Sequence, residues 1–100
     1  MNELFIVRLT PNQEKIQANM AEKQSLVKGH NDYLDKLAND KVILFGGPME
    51  GKPGGLLVVT AISTEQVEEL FNQDPLIKNS YLNAEINKWT IKHGNSPISI

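Results

Sequence analysis

The sequence predicts an α+β domain built on one antiparallel sheet, and three observations carry that expectation. Strand-like and helix-like segments follow one another in the order β–α–β–β–α–β. The two middle strand segments flank the Gly- and Pro-rich stretch "GKPGG" at 51–55, the composition of a hairpin tip. The chain has 100 residues, enough for one hydrophobic core and too few for two. This order is the split βαβ, ferredoxin-like arrangement: a four-stranded antiparallel sheet with the helices on one face.

Each element has its own justification. "ELFIVRL" (3–9) is rich in β-branched and aromatic residues and runs into Pro11, which ends a strand. Residues 11–40 read as helical, with Thr10 as the cap, Pro11 in the first turn and Glu14 as the capping-box acid. Ile16, Met20, Leu26, Val27, Tyr33 and Leu34 keep helical spacing only with an interruption near Gly29. That predicts a break there, with a second helical segment opening close to His30. "KVILFGGP" (41–48) is a short apolar strand and "GLLVVTAI" (55–62) its return. Ser63 or Thr64 caps the next helix, with Gln66 at capping-box spacing from Ser63, and Val67, Leu70 and Phe71 form its apolar stripe. Pro75 biases Asp74 away from helical geometry and stops this helix. "LNAEINKWTIK" (82–92) is the last strand, so one domain spans 1–92 and leaves a C-terminal tail at 93–100.

Helices cover one face of such a sheet, yet the strands are apolar on both faces. Phe5, Val7 and Leu9 alternate with Leu4 and Ile6, and Leu57 and Val59 with Leu56 and Val58. This predicts strands buried on both sides. A second copy of the sheet closes the uncovered face most simply, giving a homodimer that pairs as a dimeric α/β barrel. A monomer with an internal ligand cavity is the other closure.

Composition narrows the partners. A net charge of −2 supplies no counter-charge for a phosphate backbone, so nucleic acid is not expected. The longest apolar runs fall far short of the ~20 residues that cross a bilayer. The opening "MNELFIVRLT" reads as a strand and not as a signal peptide. The absence of cysteine removes disulfides, thiolate metal sites and cysteine nucleophiles, and fits a cytoplasmic location.

Few residues carry chemistry. His30 and His93 stand 63 positions apart with no carboxylate at ligand spacing on one helix face, so no metal site is expected. The Gly46-Gly47-Pro48 turn lacks the spacing of a dinucleotide loop and the lysine of a phosphate loop, so no cofactor is expected either. Its glycines still allow a ligand to approach backbone N–H groups. Trp89 reads as core or interface packing. Taken singly, His30 is a surface or capping residue and Asp74 a helix stop.

The set as a whole resembles a known family. "HNDYLDKLANDKVILFGGP" opens on a histidine and leads into a strand ending in Gly-Pro; a Gly-tipped hairpin, a helix closing in "NQDP" and a last strand with Trp89 follow. The chain is similar over residues 3–92 to the YciI-like, or YCII-related, family of small dimeric α/β-barrel proteins. The resemblance implies the ferredoxin-like fold, pairing through the sheets, and an active site shared by a histidine and an aspartate at the positions of His30 and Asp74. One relative in that family removes chloride from a chlorinated hydroxyquinol. The stretch before the histidine departs from the common pattern, where an arginine often precedes it; here it is "SLVKG", with Lys28 the nearest cation.

A carboxylate beside an imidazole fixes its tautomer and stabilises the imidazolium formed on taking a proton. The expected function is therefore a cofactor-free lyase or isomerase acting on a small carbonyl-bearing or cyclic metabolite. His30 is the general base and Asp74 its orienting partner. The backbone at Gly47 is an anion-binding edge, and Pro48 and Tyr33 are further substrate contacts. The alternative is a non-catalytic small-molecule-binding or interaction module on the same dimeric fold.

Overall fold

The computed structural model describes residues 2–94. The elements run β1 (Glu3–Pro11), α1 (Gln13–Ala18), α2 (Met20–Asn39), β2 (Ile43–Pro48), β3 (Gly55–Ala61), α3 (Thr64–Phe71), α4 (Pro75–Lys78) and β4 (Leu82–Trp89). The four strands form one antiparallel sheet in the order β2-β3-β1-β4. This is the α+β, ferredoxin-like arrangement that the element order predicts. Among the described residues, no helix is long and apolar enough to cross a membrane. Of the tail expected at 93–100, only His93 and Gly94 lie within the described residues.

Strand alternation sends Phe5, Val7 and Leu9 of β1 and Leu57 and Val59 of β3 to one face, where all are buried. Leu37 of α2 and Val67 and Phe71 of α3 close the core from above. The second face is the one for which the sequence predicts a second copy of the sheet. The register puts Phe45, Val58 and Ile6 in one row across it, and Leu56 beside Arg8 in the next. Leu56 is 37 % exposed, Phe45 61 % and Trp89 43 %, while Leu4 of the same face is buried, so within one chain this face is covered only in part.

The helical region departs from the sequence reading in two ways. The cap is Asn12, whose side chain accepts from the Lys15 N–H, while Thr10 and Pro11 remain in β1. The interruption falls at Asn19, whose backbone leaves helical geometry (φ −143°, ψ 51°), and not at Gly29. Gly29 lies inside α2, and a Cβ there would come within 3.2 Å of the Pro75 ring. It serves a close approach between elements.

The other boundaries follow local chemistry. Lys41, in the left-handed region at φ 63°, delays β2 to Ile43. Of the two expected caps, Ser63 caps α3 by accepting from the Gln66 N–H, and the Ile62 N–H donates to the side-chain oxygen of Gln66. Helix α3 already ends at Phe71; Asp74 does not end it but begins α4, with Pro75 in the first helical position. Strand β4 stops at Trp89, short of the expected Lys92.

Candidate functional site

The two dipeptides Gly29-His30 and Asp74-Pro75 meet across the fold. Glycine at 29 lets the Pro75 ring close on α2, and this contact draws the next residue of α2 to the one before the proline. His30 Nδ1 lies 2.6 Å from Asp74 Oδ2, 44 positions apart in sequence. The other carboxylate oxygen, Oδ1, accepts from the backbone N–H groups of Leu76 and Ile77 at 2.8 and 3.3 Å, capping α4.

Asp74 is fully buried, and it is the one buried charged residue among the described residues. Its two oxygens are both occupied, which is the condition for keeping a carboxylate out of water. A carboxylate only accepts, so the bonded Nδ1 is the ring nitrogen that carries the proton. Nε2 then holds the lone pair of the neutral imidazole. The His30 side chain is 13 % exposed, and His30 lines an open cleft of about 620 Å³.

One wall of this cleft is a stripe of α2: Lys23, Val27, His30, Asn31, Leu34 and Asp35. The opposite wall is β2, through Gly46, Gly47 and Pro48. Leu9, Leu57 and Leu82 contribute apolar surface between them. The shape of the β2 wall has a specific origin. An irregularity between Ile43 and Phe45 moves Phe45 to the far face and sets Gly46 opposite Leu57. A Cβ on Gly46 would come within 2.3 Å of Leu57 Cδ2, so the wall stays bare of side chains there.

The site residues expected from sequence separate accordingly. His30 and Asp74 are in contact, and Gly47 and Pro48 line the same cleft as His30. Tyr33 is not among the lining residues. Its hydroxyl donates to the Leu70 carbonyl at 2.6 Å and its ring packs against the core. Burial raises the Tyr33 pKa; Lys36 opposes the shift, and the charge of Asp74 adds to it. Lys28, the cation nearest His30 in sequence, turns to solvent and pairs with Asp32 at 2.7 Å. The cleft cation is Lys23 instead. Its signal was the spacing 23, 27, 30, 34, which marks one helical face once Gly29 is allowed inside the helix.

Comparison with known proteins agrees with this architecture. The chain is 33 % identical over 69 residues to the uncharacterized protein YjpA of Bacillus subtilis strain 168, covering 69 % of this chain and 81 % of that protein. It superposes with a TM-score of 0.64 on 5-chloro-2-hydroxyhydroquinone dehydrochlorinase (TftG) from Burkholderia phenoliruptrix AC1100, solved in complex with 2,5-dihydroxybenzoquinone. That pairing has 24 % identity, covers 91 % of this chain and 95 % of the other, and is a likeness of fold. The YCII-related domain matches residues 4–90, and to that family the chain belongs.

Proposed function

We propose that this protein is a cofactor-free lyase or isomerase acting on a small cyclic or carbonyl-bearing molecule, with His30 as general base and Asp74 as its orienting partner. The observation that carries the reading is the bond from the imidazole to a fully buried carboxylate at the wall of a largely apolar cleft. About 620 Å³ lies within the ~300–1,000 Å³ of small-ligand sites. The dehydrochlorinase, whose structure holds a dihydroxybenzoquinone, supports a substrate of oxygenated ring type.

In this reading Nε2 removes a proton from a carbon or hydroxyl conjugated to a carbonyl. The electron pair passes into the enolate. It then either expels an anionic leaving group or is re-protonated at another carbon by the imidazolium. Asp74 holds Nδ1–H throughout, so the ring keeps its tautomer and the transient positive charge has a partner. The backbone edge of β2 at Gly47, which lines the cleft, is the proposed site for the developing oxyanion. A homodimer through the outer sheet face completes the proposal.

A second reading, a binding module without chemistry, is favoured by one observation: Asp74 caps α4, which alone accounts for an aspartate before Pro75. The two are separated by His30→Gln, which keeps an N–H donor for Asp74 and has no titratable nitrogen. Chloride release from 5-chloro-2-hydroxyhydroquinone and solvent-deuterium exchange into a panel of cyclic ketones provide the activity readouts. General base catalysis contributes about 10²–10⁴-fold, so a turnover loss of that size with a nearly unchanged melting temperature is expected. Undiminished turnover in the variant would remove His30 from the chemistry.

A further inference from the structure

Four of the protein's ten lysines and arginines have a partner that accounts for them. Lys28, Lys36 and Lys88 are exposed and paired with Asp32, Asp40 and Glu3 at 2.7, 3.0 and 2.8 Å. Lys15 is half-buried, with its Nζ 5.1 Å from the centroid of the Tyr81 ring. Lys23 is the other half-buried lysine, and it has neither carboxylate nor ring partner among the described residues. Its sequence neighbour Glu22 is already engaged by the Tyr81 hydroxyl. Lys23 lines the cleft that His30 lines.

We infer that Lys23 is the anion-recognising residue of the cleft, and that the ligand is a small cyclic carboxylate whose charged end meets Lys23 while its other end faces His30. The assignment rests on reading the cleft as a small-molecule site, and not on catalysis by His30. Seven residues of α-helix separate the two, about 10 Å along the axis at 1.5 Å per residue. The flexible lysine stem shortens that span at its own end, leaving the length of a single substituted ring. Val27 lies between them on the same stripe and offers apolar surface to the ring. Asp35 lines the cleft on the far side of His30, so the wall carries a cation at one end and an anion at the other. An acid entering this cleft is attracted at Lys23 and repelled at Asp35, which sets its direction. Half-burial strengthens the pairing over that of a fully exposed lysine, because fewer waters compete for the ammonium.

The test uses the full chain and a matched pair of probes, 4-hydroxybenzoate and its neutral methyl ester, titrated by amide NMR. The acid is expected to perturb α2 and β2 amides and to bind at least tenfold more tightly than the ester, with an advantage that shrinks as salt rises. Lys23→Met is expected to abolish the advantage and leave the ester's Kd within twofold, and Lys23→Arg to retain it. Far-UV circular dichroism and melting temperature check that both variants fold. No preference for the acid, no saturable binding of it, or an equal loss for both probes in Lys23→Met overturns the assignment. His30→Gln is expected to keep the preference. A His30-dependent turnover without acid preference would sink this inference alone, and the reverse pattern would sink the general base alone.

Discussion

Asp74 shows how much one side chain can be asked to do. It caps α4 with one oxygen and holds His30 with the other, from a position closed to solvent. The two duties can be separated by substitution. Asp74→Ala removes both and is expected to cost about 1–3 kcal/mol in urea unfolding, from the lost cap and the unpaired donors. Asp74→Asn keeps a capping oxygen, so it is expected to cost less than half as much while weakening control of the imidazole tautomer. Equal losses would mean that the charge, and not the cap, stabilises the turn.

Tyr81 provides a second residue-scale case. Burial, followed by its hydrogen bond to Glu22 and the charge of that group, pushes its hydroxyl from 10.0 up to about 12. The folded state thus holds this proton more tightly than the unfolded chain does. Its stabilising contribution is complete below pH 10 and is lost as pH rises from 10 toward 12. Phenolate absorbance should show a tyrosine titrating near 12 that is missing from Tyr81→Phe. The variant's urea midpoint should fall less steeply across that window.

At the scale of elements, the hairpin between β2 and β3 is shaped by a glycine that no other residue can replace. Gly54 has φ 91°, and a Cβ there would lie 1.9 Å from the Leu9 carbonyl oxygen. Both the left-handed backbone and the contact with β1 oppose a side chain. Gly54→Ala is expected to destabilise the fold by about 2 kcal/mol or more, read from the urea midpoint, and to disturb the cleft rim at Gly47 and Pro48. Gly29 teaches a different lesson. Local propensity counts a glycine as a helix breaker, but α2 runs through it, held by its packing against β2 and α4. The break goes instead to Asn19, where no buried residue of either helix is at stake.

For the whole molecule, the outer sheet face is the largest feature left partly uncovered within one chain. Phe45, Leu56 and Trp89 stand exposed on it, with Ile6 and Val58 half-buried among them. Contiguous apolar surface of this kind marks an association site. The proposed homodimer is expected to sediment at the mass of two chains. Phe45→Glu together with Trp89→Glu is expected to shift it to one chain without unfolding it, since both residues are exposed in the single chain. A wild-type protein that sediments as a monomer at all concentrations would exclude the pairing.

The sequence by itself determined the order of the strands and main helices, a cap at Ser63 or Thr64, the alternation that builds the core and the doubly apolar strands, because each is a matter of neighbours a few residues apart. With a family resemblance it also singled out His30 and Asp74. Only the tertiary structure decided that these two touch, that Tyr33 turns to Leu70 and away from the cleft, and that Lys23 rather than Lys28 enters it. Those outcomes depend on how α2 docks against α4 and the β2 edge. Helix docking is set by side chains tens of positions apart, down to the missing Cβ atoms of Gly29 and Gly46, and no local pattern encodes it.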